Sequence, residues 1–272
     1  MDSAVPPPPD VLRAFGATGR PVRVTGGQGQ AYRSGDVVLK PARDDEETAW
    51  IARFSLAFEA GDLRVPEPLR TRDGGFVADG WQAFRYAEGR HVDGHWREKI
   101  EVCLRFHRAI AGVSYPAYFS RRDQNPWVIA DKVTWGEMAM DHHPRIAPVV
   151  AQLRACLRPV DADSQLIHGD FGGNVLFSDT LPPAVIDFSP YWRPVAFAVG
   201  VIVADAIVWE GAEMSLIDDA GKDLPDFYQH LARAELRRVI ELDAHYQAGA
   251  SHALDEIEAH LPLVEAIVER RR

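Results

Sequence analysis

The chain has 272 residues, of which 46% are hydrophobic and two are cysteine, and it carries a formal net charge of −10. That is enough apolar material for one large or two modest domains. The acidic balance excludes a basic footprint for nucleic acid and any attraction to an anionic membrane surface.

Cys103 and Cys156 make no CxxC pair, so neither a disulfide framework nor a zinc site is expected. The N-terminal run MDSAVPPPPDVLRAF lacks the basic and apolar segments of a signal peptide, and the expectation is a cytoplasmic protein. Pro6–Pro9 reads as a stiff, extended lead-in. Residues 11–15 can open a short helix, and residues 21–25 (PVRVT) alternate as a strand does. Gly26-Gly27-Gln28-Gly29 follows. Glycines permit close backbone approach, so the amides of Gly27, Gln28 and Gly29 can face phosphate oxygens; an ordinary hairpin turn is the plainer alternative. Ala31-Tyr32-Arg33, the turn Ser34-Gly35-Asp36 and the apolar run Val37-Val38-Leu39-Lys40 complete a strand, turn, strand pattern without any Walker A loop. Residues 44–60 predict a helix, acidic in its first turn as the dipole prefers. Asp73-Gly74 predicts a hairpin between residues 69–72 and 75–78. Residues 81–86 (WQAFRY) predict a further strand, broken by Ala87-Glu88-Gly89.

From there the pattern is helical. Residues 96–111 form an amphipathic helix that includes His107, expected to be a packed rather than a catalytic histidine. Residues 115–127 read as a loop rich in aromatic and charged groups, and residues 144–157 as a helix. The most apolar stretch, residues 195–209, is too short to span a bilayer and is interrupted by Asp205. Two helices, residues 225–248 and 253–271, end the chain, the second kinked or broken at Pro262.

Between these lies IHGDFGGNVLFSDTLPPAVIDF, residues 167–188. Two short apolar runs flank the turn SDTLPP, and Asp170, Asn174 and Asp187 stand at their ends. A lone buried carboxylate is costly. Two carboxylates and an amide at strand ends suit a hard cation such as Mg²⁺ together with a proton acceptor.

His168-Gly169-Asp170, Asn174-Val175-Leu176-Phe177 and Ile186-Asp187-Phe188, in this order and this close, resemble the catalytic core of the aminoglycoside phosphotransferase-like family, relatives of the protein kinases. The resemblance implies a two-lobed, protein-kinase-like α+β fold. Residues 1–86 would form an N-lobe, a small antiparallel sheet with one helix that binds nucleotide. Residues 87–272 would form a mostly helical C-lobe with the catalytic loop and acceptor site, and residues 87–89 would be the hinge that reads adenine. It implies Asp170 as the base that takes the acceptor proton, Asn174 and Asp187 as ligands of Mg²⁺, and Lys40 as the phosphate lysine. Glu47, with Glu46 in reserve, would pair with Lys40, although both can simply satisfy the helix N-terminus. Asp205 would tie down the catalytic-loop backbone.

Two departures mark a divergent member. Four steps separate Asp170 from Asn174 where the family has five, and Gly172-Gly173 could absorb the deletion by taking positive φ. After Asp187 the family's Gly-Asp-Pro-x-x-Asp-Leu-Ala run is replaced by Tyr191-Trp192-Arg193-Pro194-Val195-Ala196-Phe197-Ala198, which could wall or block an acceptor site. The expected function is transfer of the γ-phosphoryl group of ATP, or another NTP, to a hydroxyl of a small molecule, with Mg²⁺ as cofactor. A neutral or cationic acceptor suits the acidic chain. The alternatives are a nucleotide-binding pseudokinase or regulator without turnover and, less consistent with Lys40 and the glycines, a metal-dependent hydrolase using His168, Asp170 and Asp187.

Overall fold

A computed structural model describes residues 5–24, 29–122 and 124–270. Along the chain the elements are α1 (Pro9–Ala14), β1 (Val22–Arg23), β2 (Tyr32–Ser34), β3 (Val37–Pro41), α2 (Asp45–Ala57), β4 (Trp81–Arg85) and α3 (Trp96–Ala109). A 3-10 turn (Ala117–Ser120), α4 (Pro126–Thr134), α5 (Ala147–Cys156), β5 (Gln165–His168), β6 (Val175–Leu176), β7 (Ala184–Val185) and β8 (Pro190–Arg193) follow. The chain ends with α6 (Val195–Trp209), α7 (Ser215–Gly221), α8 (Phe227–Gln247), a second 3-10 turn (Ala253–Glu256) and α9 (Ile257–Arg270).

These elements form two compact units, neither contiguous in sequence. The first comprises Met1–His91, Pro116–Arg122 and Gly173–Phe188; the second comprises Val92–Tyr115, Asp123–Gly172 and Ser189–Arg272. A single division after Tyr86 therefore differs from the grouping by contact.

In the first unit, β1 to β4 form an antiparallel sheet in sequence order, with Tyr32 opposite Leu39 and Leu39 opposite Ala83. Alternation puts Val37 and Leu39 on the face that packs against Val11 and Phe15 at α1. Gly35 sits at φ +65° in the β2–β3 turn, a conformation that an L side chain rarely adopts. Helix α2 begins where Asp44 caps it, its carboxylate accepting from Glu47 N at 2.7 Å. Trp50 and Phe54 stack at 5.5 Å, and Phe54 stacks on Phe188 at 4.7 Å. The hairpin expected around Asp73-Gly74 is a turn without strands: Thr71 N–H donates to Gly75 O.

In the second unit, α6 is buried along most of its length because it is apolar all round. Each of Val199, Val201, Ile202 and Val203, almost fully buried, contributes roughly 1.5–3 kcal/mol. It lies directly against α8, and a Cβ on Gly200 would stand 3.0 Å from His230 O. Helix α8 is buried too, yet holds Arg237, Arg238, Glu235, Glu241 and Asp243. Buried charges need partners. Glu235 meets His260 at 2.8 Å, and Asp243 meets His142 at 3.0 Å. Helix α9 runs through Pro262 as one element rather than breaking there. The Tyr191-Trp192-Arg193 segment, expected either to wall or to block an acceptor site, is β8, paired antiparallel with β5, Ile167 opposite Tyr191. Among the described residues no helix is long and apolar enough to cross a membrane.

Candidate active site

In the first unit, β3 carries Lys40 and the β6–β7 hairpin carries Asn174 and Asp187. Ile186 N–H donates to Asn174 O at 2.9 Å, so Asn174 and Asp187 stem from neighbouring positions at one end of that hairpin. Lys40 Nζ is ion-paired with Asp187 Oδ1 and lies 5.1 Å from the centre of the Phe84 ring. Asp187 has φ +50°, a left-handed conformation that few non-glycine residues take, and its carboxylate is 56% exposed. An ion pair this open to water is weakly held.

Glu47 does not pair with Lys40, and neither does Glu46. Arg122 binds Glu47 through both carboxylate oxygens, at 2.9 and 2.6 Å, and Arg121 takes Glu46. The two arginines follow the 3-10 turn Ala117–Ser120, and the planar guanidinium fork matches a carboxylate better than a lysine does. Of the expected phosphate cradle, Gly27 and Gln28 lie outside the described residues. Gly29 has φ +62°, and its carbonyl accepts from Arg23 Nε. In the expected hinge, Glu88 O accepts from Arg64 Nη2 at 2.8 Å, and Gly89 is pressed on β6, where a Cβ would stand 2.9 Å from Leu176 Cβ.

In the second unit, Asp170 ends the run that leaves β5. Its Oδ1 accepts from Arg238 Nη2 at 2.7 Å, and the carboxylate is 46% exposed. The protein packed behind it desolvates the carboxyl and pushes its pKa up; the charge and hydrogen bond of Arg238, with Arg237 and His168, outweigh this and hold it below the ordinary value. Asp205 accepts from Arg238 Nε at 2.8 Å and Nη2 at 2.5 Å, so it acts on the loop through that arginine rather than by its own bond to the backbone. Burial raises the Asp205 pKa to about 6 against the pull of Arg238, with Asp170 and Glu241 adding to the rise.

His107 is buried and structural, as expected. Its Nδ1 meets Cys103 O at 2.8 Å and its Nε2 accepts from His168 N–H at 2.9 Å, which requires the proton on Nδ1. Burial, with His168 beside it, lowers its pKa to about 3. Gly169 is the glycine the loop requires, since a Cβ there would meet the Tyr191 ring at 2.3 Å. Tyr191 is therefore buried support and not an acceptor wall. Gly172 and Gly173 do not take positive φ, and a Cβ on Gly173 would meet nothing within 4 Å. The shortened loop is thus made without the left-handed turn expected of that pair.

Asn174 and Asp187 offer hard oxygen donors, one of them charged and open to solvent, and this set fits Mg²⁺. That ion takes one or two protein ligands and completes its shell with water and phosphate. Among the described residues no group of three or more His, Cys, Asp or Glu side chains forms a metal cage. Arg121, Arg122, Arg237 and Arg238 are the residues sequence reasoning missed. Their partners lie 75 residues away for the first two and 68 for the last two, and no local pattern announces such pairings.

The sequence model of the phosphotransferase enzyme family matches residues 13–191. Among solved structures, a thermostable mutant of aminoglycoside phosphotransferase APH(4)-Ia, in ternary complex with AMP-PNP and hygromycin B, is 19% identical with a TM-score of 0.62, covering 96% of this chain and 97% of that one. A choline/ethanolamine kinase family protein from Mesorhizobium loti is 15% identical with a TM-score of 0.61, covering 93% and 90%. Amicoumacin kinase hAmiN, in complex with AMP-PNP, Ca²⁺ and Ami, is 14% identical with a TM-score of 0.59, again covering 93% and 90%. No curated protein matches the sequence. At these identities the likeness is one of fold, and the fold is that of the kinase-like phosphotransferases.

Proposed function

Because the chain belongs to the phosphotransferase enzyme family, we propose that it transfers the γ-phosphoryl group of ATP to a hydroxyl of a small molecule, with Mg²⁺ as cofactor. The observation that carries this reading is the half-exposed Asp170 carboxylate, kept ionised by Arg238. Phosphoryl transfer passes through a loose transition state with little covalent work for the protein, so positioning and electrostatics dominate. An acceptor hydroxyl needs an ionised, fixed oxygen to point its proton at, and Asp170 supplies it. A depressed pKa makes Asp170 a weak base for early proton abstraction but suits late capture of a proton that the bonded hydroxyl has already become acidic enough to lose.

Lys40 would leave Asp187 for a phosphate oxygen. Gly27, Gln28 and Gly29 would offer backbone amides to the same phosphates. Mg²⁺, held by Asn174 and Asp187, would neutralise charge on the β- and γ-phosphates. Glu47 is not assigned a nucleotide role, because Arg122 holds it. That pairing also favours a second reading, a nucleotide-binding protein without turnover, since Lys40 then lacks a glutamate to steady it.

The acidic net charge supports a neutral or cationic acceptor. Hygromycin B, choline and a set of neutral polyols, tested for ADP release with ATP and Mg²⁺, separate the readings. Acceptor-dependent ADP formation that disappears in Asp170→Asn supports transfer. ATP binding with no turnover on any acceptor class, sugar phosphates included, supports the regulator.

A further inference from the structure

We propose that Arg238 on α8 is a positioning residue for Asp170, fixing the carboxylate that receives the acceptor hydroxyl; this rests on the reading of Asp170 as the base. Every nitrogen of the guanidinium is committed. Nε and Nη2 grip Asp205 from α6, Nη1 donates to Glu241 Oε2 at 2.9 Å, and Nη2 reaches Asp170 Oδ1 as well. The terminal torsion of an aspartate is broad and roughly two-fold, so a carboxylate on a loop has no orientation of its own. An arginine that cannot turn gives it one. The adjacent Arg237 fixes the preceding step of the same loop, donating from Nη1 to Gly169 O at 2.6 Å, with its guanidinium 4.7 Å from the Tyr191 ring centre. It is also ion-paired with Glu241 Oε1 at 2.8 Å.

The groups that bear on Asp170 are Arg237 and Arg238 from α8, Asp205 from α6 and His168 from β5. Glu241 bears on both arginines, and Asp131 from α4 and Tyr191 from β8 on Arg237. Two guanidinium charges thus meet three carboxyls, Asp170, Asp205 and Glu241, packed against the same pair of arginines. A lysine could reach one of these carboxylates but could not bridge two with a rigid fork.

The test compares the native chain with Arg238→Met, Arg238→Lys and Asp205→Asn, using an acceptor that the native chain phosphorylates. Displacing a reacting group by about 1 Å costs on the order of 100-fold, so Arg238→Met is expected to lower kcat by about that factor while the KM for ATP stays within about twofold. Arg238→Lys should recover part of the loss, and Asp205→Asn, which frees the arginine, should lower kcat with the same unchanged KM. A kcat in Arg238→Met within about twofold of native overturns the proposal, as does an equal change in the KM for ATP. Arg238→Met leaves Asp205 without its partner and Glu241 with Arg237 alone; if it does not fold, Arg238→Met/Asp205→Asn removes the Arg238 and Asp205 charges together and is read the same way. Thermal unfolding of Arg238→Met/Asp205→Asn, of Asp170→Asn and of their combination reads the contact without turnover. Non-additive Tm shifts support it, and additive shifts overturn it. If the native chain phosphorylates no acceptor while the shifts are non-additive, the phosphotransferase reading fails and the catalytic role of Arg238 falls with it, but the contact stands.

Discussion

Acidification should loosen the strand that delivers Asp170, and His107 is the reason. Free histidine titrates near 6.5, whereas buried His107 is held to about 3. The unfolded chain therefore takes a proton at pH 5 that the folded chain refuses. Stability is unaffected well above 6.5 and falls as pH drops from 6.5 towards 3, the direction required when the unfolded state binds more protons. Between pH 7 and pH 5 the loss from this one group is about 2 kcal/mol. His230, lowered to about 4 by burial and Arg233, acts in the same direction. Asp205 opposes both, since its folded form, raised to about 6, takes up a proton as pH falls. The clean measurement is thus a difference. Urea unfolding of native protein and of His107→Gln at both pH values should show the native chain losing about 2 kcal/mol more than the variant. Equal losses would refute the reasoning. Protonation at Nε2 also removes the acceptor of His168 N–H, so forced charging of His107 breaks one of the hydrogen bonds between β5 and α3, two residues before Asp170.

Lys40→Ala should weaken ATP binding by roughly tenfold or more, the worth of a charge-assisted hydrogen bond, without loss of secondary structure; calorimetric titration with Mg²⁺ checks this, and unchanged affinity removes the assignment. Asp187→Ala should reduce turnover more than Asn174→Ala, because it deletes a charged oxygen ligand rather than a neutral one, and a Mg²⁺ titration of activity should show the larger rise in required metal for the aspartate. Gly169→Ala should cost about 1–3 kcal/mol as its new Cβ meets the Tyr191 ring, whereas Gly173→Ala, facing open space, should change stability by less than about 0.5 kcal/mol; thermal or urea unfolding of the pair decides.

What the sequence announced was local. His168-Gly169-Asp170, Asn174 and Asp187 fall within 20 residues, and the apolar run Val37-Val38-Leu39 marked the strand that carries Lys40. Helix α6 matched residues 195–209 because a run apolar but for Asp205 and bounded by Pro194 has few other options. What escaped was long-range pairing between charges. Arg237 and Arg238 sit in a helix whose charged composition reads as solvent-facing, yet they are buried and paired with groups from α6 and the Asp170 loop. Glu46 and Glu47 went to arginines rather than to the lysine for the same reason. Tyr191-Trp192-Arg193 showed no alternation to mark it as a strand, and β8 is legible only once β5 lies beside it. The glycines misled in the opposite sense: Gly172-Gly173 looked like the flexible pair, and Gly169, which is pressed against a ring, did not.

The interleaving of the two units has a genetic consequence. The chain passes from one to the other after His91, Tyr115, Arg122, Gly172 and Phe188. No contiguous stretch of gene encodes either unit whole, so a single recombination event cannot exchange one intact, and neither can be inherited as a portable cassette. The boundary after Gly172 falls between Asp170 and Asn174, so any crossover placed there divides the candidate base from the candidate metal ligands. Change confined to one unit is open to point substitution and to short changes at the five junctions, and the stretch between Asp170 and Asn174 holds one of those junctions.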